Sequence, residues 1–147
     1  MYRIGIDLGG TNIAVGVVDD GHAIVSRVSV PTLARRPAAE VVGDMGDAVE
    51  AALAKAGLTG GLDGKRVIVQ GLGNVGYHAA KFLSEEDGCK IIAVIERDGA
   101  LLNPKGLDIE DVRQWMNAHD GLLAGYPNAT HVPEGAAVLE EACDILI

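Results

Sequence analysis

The chain has 147 residues, a formal net charge of −9, 48% hydrophobic and 22% charged residues, and two cysteines. That apolar content excludes a disordered chain. The negative charge excludes a general attraction for nucleic acid or an anionic membrane surface, so any phosphate must be met by local backbone donors.

In chain order, Tyr2 to Leu8, Ile13 to Val18 and Ala23 to Val30 are rich in Ile and Val and are separated by Gly, Asp and Asn. They read as three strands of an antiparallel meander, with a tight turn at Asp19-Asp20-Gly21-His22 and Pro31 ending the third. Pro37 opens a helix whose apolar positions 38, 41, 42, 45, 48, 49, 52, 53 and 56 follow the i, i+3, i+4 rule, and Gly57 stops it. The MYRIGIDLGG start lacks the basic and long apolar regions of a signal peptide. No apolar run approaches the roughly 18 residues of a membrane span. Cys89 and Cys143 have no CxxC spacing and no neighbouring histidine pair, which predicts buried inert thiols in a cytoplasmic chain.

A first candidate phosphate site lies in the turn after strand one, at Asp7, Gly9, Gly10, Thr11 and Asn12. Two glycines allow close backbone approach, Thr11 and Asn12 add side-chain donors, and Asp7 is either an orienting group for hydrated Mg²⁺ or a solvated acid at a strand end. The run IGIDLGGTNIAVGVVD resembles the opening of the glucokinase-like ROK family of actin-like sugar kinases, in which this turn receives ATP phosphates. The resemblance covers residues 1–58 and implies an ATP/Mg site. The family's catalytic aspartate, sugar-binding residues and zinc motif have no counterpart here.

The second half opens with the strand Val67 to Gln70, followed by the loop Gly71-Leu72-Gly73-Asn74-Val75-Gly76, a helix from Tyr77 to Glu86 and a buried strand from Ile91 to Ile95 that ends at Glu96. This is GxGxxG between a strand and a helix, with an acid about 20 residues further on, the setting of a dinucleotide site. Gly71 permits the turn, Gly73 lets a pyrophosphate approach the helix N-terminus, and Gly76 lets helix and strand pack closely. Glu96 is suited to the adenosine ribose and to NAD, whereas Arg97 beside it offers a partner for the 2′-phosphate of NADP, so both cofactors stay open. Asp108 caps a helix bearing Ile109, Val112, Trp115 and Met116, Thr130 to Val132 forms a short edge strand, and Asp144 to Ile147 a central one. Arg35 and Arg36 read as a solvated loop, Trp115 as core, and His22, His78, His119 and His131 as surface residues without ligand spacing.

The segments GKRVIVQGLGNVGYHAAKFL, IIAVIERDGALLNPKGLDIEDV, GYPNATHV and CDILI make residues 62–147 resemble the nucleotide-binding domain of glutamate dehydrogenases. That resemblance implies cofactor contacts at Gly71, Gly73, Asn74, Val75, Gly76 and Glu96. The family's preceding glutamate-binding domain, with its lysine and aspartate, has no counterpart, and the chain stops inside an apolar strand. The expected fold is a three-layer, Rossmann-like α/β sandwich with a mixed, mostly parallel sheet. Residues 1–58 form a βββα fragment, 59–63 a junction and 64–147 a dinucleotide-binding fragment. The expected strand order is three-two-one-DILI-Gln70 strand-Glu96 strand, with only strand two antiparallel. The expected function is an engineered or truncated chimera without turnover that retains weak NAD(P) or adenine-nucleotide binding. The alternative is a glutamate dehydrogenase-type oxidoreductase or a sugar-kinase fragment. Expected partners are a nucleotide and a second copy through an exposed strand edge, not nucleic acid or membrane.

Overall fold

The computed structural model describes residues 2–33 and 35–147. The chain divides into two compact units, one running to Gly61 and taking in Asp144–Ile147, the other Leu62–Cys143. The fold is mixed α/β and Rossmann-like, as the sequence predicts.

In the first unit, β1 (Tyr2–Leu8), β2 (Asn12–Asp19) and β3 (Ile24–Pro31) form the antiparallel meander, with pairs such as Gly5↔Gly16 and Val15↔Val28. Alternation sets its two faces. Ile13, Val15 and Val17 of β2 are fully buried, and the intervening Ala14, Gly16 and Val18 are not. Helix α1 (Ala38–Lys55) packs on β2 and β3, burying Val41, Met45, Ala48, Val49 and Ala52. Each large apolar side chain so removed from water contributes roughly 1.5–3 kcal/mol. The interface also contains the buried Ser26, whose hydroxyl donates to the Ala52 carbonyl at 2.6 Å. Pro31 belongs to β3 rather than ending it. It lies at the last register position of the β2–β3 pair, where a missing N–H is tolerated on an edge strand.

In the second unit, β4 (Arg66–Gln70) leads through the glycine loop to α2 (Asn74–Glu85), and β5 (Lys90–Glu96) pairs parallel with β4. Val67, Ile68 and Val69 of β4 and Ile91 to Val94 of β5 are almost wholly buried, the continuous apolar pattern of parallel strands. α2 begins three residues earlier than the sequence suggests, because Asn74, Val75 and Gly76 already belong to its first turn. Ala79 and Ala80 are its buried positions, and Leu83 is half-buried. β6 (Gly99–Leu102) turns back antiparallel on β5 and pairs with β7 (Thr130–Val132), also antiparallel. The expectation that strand two alone would run antiparallel is therefore corrected. α3 (Ile109–Ala118) carries the expected cap, since the Asp111 N–H donates to Asp108 Oδ1 at 2.9 Å. A 3₁₀ turn follows at Gly135–Glu140. β8 (Ile145–Leu146) pairs parallel with β1 in the first unit through Ile4↔Ile145 and Gly5↔Leu146. No helix among the described residues is long and apolar enough to cross a membrane. Cys89 and Cys143 are buried, and the Cys89 thiol donates to the Leu62 carbonyl at 3.2 Å.

Candidate functional site

The loop joining β4 to α2 is held by its own backbone. Gly71 has φ of +91°, a conformation L side chains rarely adopt, and its N–H donates to the Ile95 carbonyl at 2.8 Å, tying the turn to the neighbouring strand. Gly73 caps α2 in an extended conformation with no side-chain partner, and its carbonyl accepts from the Tyr77 N–H at 2.9 Å. With no side chain capping that end, the first-turn N–H groups of α2 remain available to an anion. A methyl group placed on Gly76 would sit 1.9 Å from the Gly71 carbonyl oxygen and 3.6 Å from Val69, so only glycine lets the helix come this close to the loop. A methyl group on Gly73 meets no atom within 4 Å and would project into open space.

Glu96, at the end of β5, reaches this loop. The Leu72 N–H donates to its Oε1 at 2.5 Å, so one carboxylate oxygen is committed and the other is spare. Arg97 is exposed and directed elsewhere, its guanidinium donating to the Asp120 carbonyl at 2.5 Å. Asn74 is exposed and Val75 half-buried at the first two positions of α2.

The first candidate turn has a different character. The Gly9 N–H donates to the Asn12 carbonyl at 2.9 Å, and the Gly9 carbonyl accepts from the buried Thr32 hydroxyl at 2.6 Å. The Thr11 carbonyl accepts from the Thr32 N–H at 2.8 Å. The Gly9 N–H is thereby committed within the turn, and the Gly9 and Thr11 carbonyls tie it to Thr32 at the end of β3. Asp7 is exposed on β1 and lines an open cleft of about 280 Å³ with Gly5, Ala14, Gly16 and Arg27. Arg36 is not the solvated side chain expected: it binds the Thr32 carbonyl at 3.1 Å and is paired with Asp44. Among the described residues, no cluster of His, Cys, Asp and Glu has the arrangement of a metal site.

Several contributors to the second unit carry no motif. Arg113 of α3 donates from Nη1 to the Leu72 carbonyl at 2.8 Å, and its guanidinium lies over the Tyr77 ring, 5.2 Å from the centroid. The Tyr77 hydroxyl donates to Glu110 at 2.6 Å, and Lys81 joins the same oxygen at 3.1 Å. The hydrogen bonds from Tyr77, Lys81 and Gln114 hold the Glu110 carboxyl down at about 2. Asp98 accepts the Leu123 and Ala124 N–H groups at 2.9 and 3.0 Å, fixing the loop after α3. The one available sequence signal for Arg113 was its position four residues after Ile109, which puts it beside the buried face of α3. Trp115 is half-buried between His119, stacked at 3.7 Å, and Tyr126. Of the histidines, His22 and His119 are exposed, whereas His131 donates to the Asp98 carbonyl at 3.0 Å.

Residues 41–147 match the family model for glutamate/leucine/phenylalanine/valine dehydrogenases. The chain belongs to this dehydrogenase family. Mitochondrial glutamate dehydrogenase of Dictyostelium discoideum is 46% identical over 98 residues, which cover 67% of this chain and 19% of that protein. The hetero-hexameric glutamate dehydrogenase of Thermus thermophilus, solved in a leucine-bound form, is 34% identical with a TM-score of 0.53, over 67% of this chain and 21% of its own. The chain thus spans about a fifth of the length of these relatives. A ROK family glucokinase from Streptomyces griseus, solved with glucose and AMPPNP, is 41% identical over 42% of this chain and 18% of its own, but its TM-score is 0.29. The kinase resemblance of residues 1–58, and the ATP/Mg expectation with it, gains no support from that comparison. The expectation of a chimera without turnover is overturned. The dehydrogenase pattern covers well over half of the chain, from residue 41 to residue 147. Of the two halves of the alternative reading, the comparisons favour the dehydrogenase one, at the level of a family domain.

Proposed function

We propose that this chain supplies the nicotinamide-dinucleotide site of a glutamate dehydrogenase-type oxidoreductase, with Gly71, Gly73, Asn74, Val75, Gly76 and Glu96 as the residues that hold the cofactor. The observation that carries the reading is the glycine loop. Gly76 admits no side chain, and the N-terminus of α2 stands uncapped behind Gly73. A pyrophosphate fits such a place because backbone N–H groups and the helix dipole both favour negative charge. The cofactor would supply hydride chemistry. The protein's part is to fix the adenosine and pyrophosphate end.

NAD is the better fit of the two cofactors. Glu96 keeps one carboxylate oxygen for a ribose hydroxyl and would repel a 2′-phosphate. Arg97, the group that would welcome that phosphate, is engaged by the Asp120 carbonyl.

The test is a fluorescence titration of the purified chain with NADH and NADPH, repeated with Gly73→Ala. NADH should bind more tightly than NADPH. The added methyl group should weaken both without lowering the unfolding temperature, because it meets nothing in the protein. Gly73→Ala that binds NADH like the parent chain would remove the loop from the site.

A further inference from the structure

Leu72 is the pivot of the glycine loop. Its side chain is fully buried, its N–H is taken by Glu96 Oε1, and its carbonyl is taken by Arg113 Nη1 at 2.8 Å. Both peptide planes flanking Leu72 are therefore fixed by charged side chains, one from the end of β5 and one from α3. The peptide joining Leu72 to Gly73 is trans, so its C=O and N–H point in opposite directions. A guanidinium that draws the Leu72 carbonyl toward α3 necessarily turns the Gly73 N–H away from α3.

From this geometry we propose that Arg113 is a positioning residue for dinucleotide binding, setting the Leu72–Gly73 peptide so that the Gly73 N–H faces the pyrophosphate. The inference rests on the dinucleotide reading of the loop. Arg113 acts through the backbone and needs no contact with the ligand. Its own placement is braced: the guanidinium lies over the Tyr77 ring, and the Tyr77 hydroxyl is anchored on Glu110 at 2.6 Å. A planar group that stacks and donates in one orientation suits this task better than an ammonium. With Arg113 removed, the Leu72 carbonyl loses a charge-assisted bond, and nothing from α3 opposes rotation of the peptide.

The experiment compares the parent chain with Arg113→Met, which keeps an apolar stem, and Arg113→Lys, which keeps the charge. Calorimetry measures binding of NADH, ADP and adenosine. The ¹⁵N–¹H resonance of Gly73 is followed without ligand. Arg113→Met should weaken NADH and ADP roughly tenfold and adenosine by less than about twofold. It should also shift the Gly73 amide in the ligand-free chain, and Arg113→Lys should recover part of both effects. Unchanged NADH affinity in Arg113→Met overturns the proposal. So do equal losses for all three ligands with the Gly73 amide unmoved, which would mark general damage. Should Arg113→Met fail to fold, Arg113→Lys decides by the same comparison of ADP with adenosine. A parent chain that binds no dinucleotide sinks the functional reading and this inference together, whereas a parent that binds while Arg113 proves indifferent sinks the inference alone.

Discussion

At the scale of single residues, the glycines of the loop separate folding from binding. Gly71 and Gly76 answer to the protein: one holds a positive φ, and the other has no room for a methyl group beside the Gly71 carbonyl. Gly73 answers to neither constraint, so its small size is left for a ligand to exploit. Gly76→Ala should destabilise the chain by about 1–3 kcal/mol, because helix and loop must move apart to admit the methyl group. The urea midpoint should fall, and NADH binding should fall with it. An unchanged midpoint would show that the loop relaxes freely and that its close approach to α2 is not required. Gly73→Ala is the contrasting case, with stability held and binding lost. Arg113 illustrates what the sequence conceals at this scale. GxGxxG announces itself by spacing, but an arginine on a helix about forty residues later has no local signature. Its role depends on tertiary placement, and the i, i+4 relation to Ile109 indicated only which side of α3 it lies on.

At the scale of elements, the face between α2 and α3 is tied by Tyr77, Lys81 and Glu110. The Glu110 carboxyl is held at about 2, below its ordinary 4.5, chiefly by the Tyr77 hydroxyl and then by Lys81. A carboxyl depressed in the folded state adds stability above its unfolded value and loses it as pH falls through the folded one. The contribution of Glu110 should therefore disappear between pH 4.5 and about 2. Glu110→Gln should lose less stability than the parent across that window when unfolding temperatures are compared at each pH. The group is only half-buried, so the difference should shrink as salt rises from about 0.1 to 1 M. Parallel pH profiles for the two chains would show that the cluster adds nothing to folding. Elements with strong periodicity were legible beforehand: β1 to β3, α1, β4, β5 and the capped α3 follow from apolar spacing and turn residues. β6 has no clear sequence signal, because Gly99 to Leu102 is only four residues long and follows β5 after a two-residue turn, Arg97-Asp98, that reads as the end of a strand. Its pairing also requires Gly99, where a methyl group would lie 2.5 Å from the Val132 carbonyl oxygen. The start of α2 is not legible in the sequence, because a glycine-rich stretch reads as loop whereas Asn74, Val75 and Gly76 are helical.

At the scale of the whole molecule, the net charge of −9 opposes the ligand the loop is proposed to take. A dinucleotide pyrophosphate is anionic, so its approach is disfavoured at long range and favoured only at contact, by backbone donors and the N-terminus of α2. The two influences respond differently to salt. At about 0.01 M ionic strength the Debye length is near 30 Å and most of the surface charge is felt; at about 0.1 M it is near 10 Å, and only the loop's surroundings matter. The association rate for NADH should therefore rise with added salt, by less than about tenfold, while the dissociation rate stays nearly constant. Stopped-flow fluorescence across that range measures both. A rate that falls with salt would mean that a local cationic field, to which Arg113 on the Leu72 carbonyl contributes, outweighs the rest of the chain. Binding would then rest on a positively charged approach rather than on backbone donors alone.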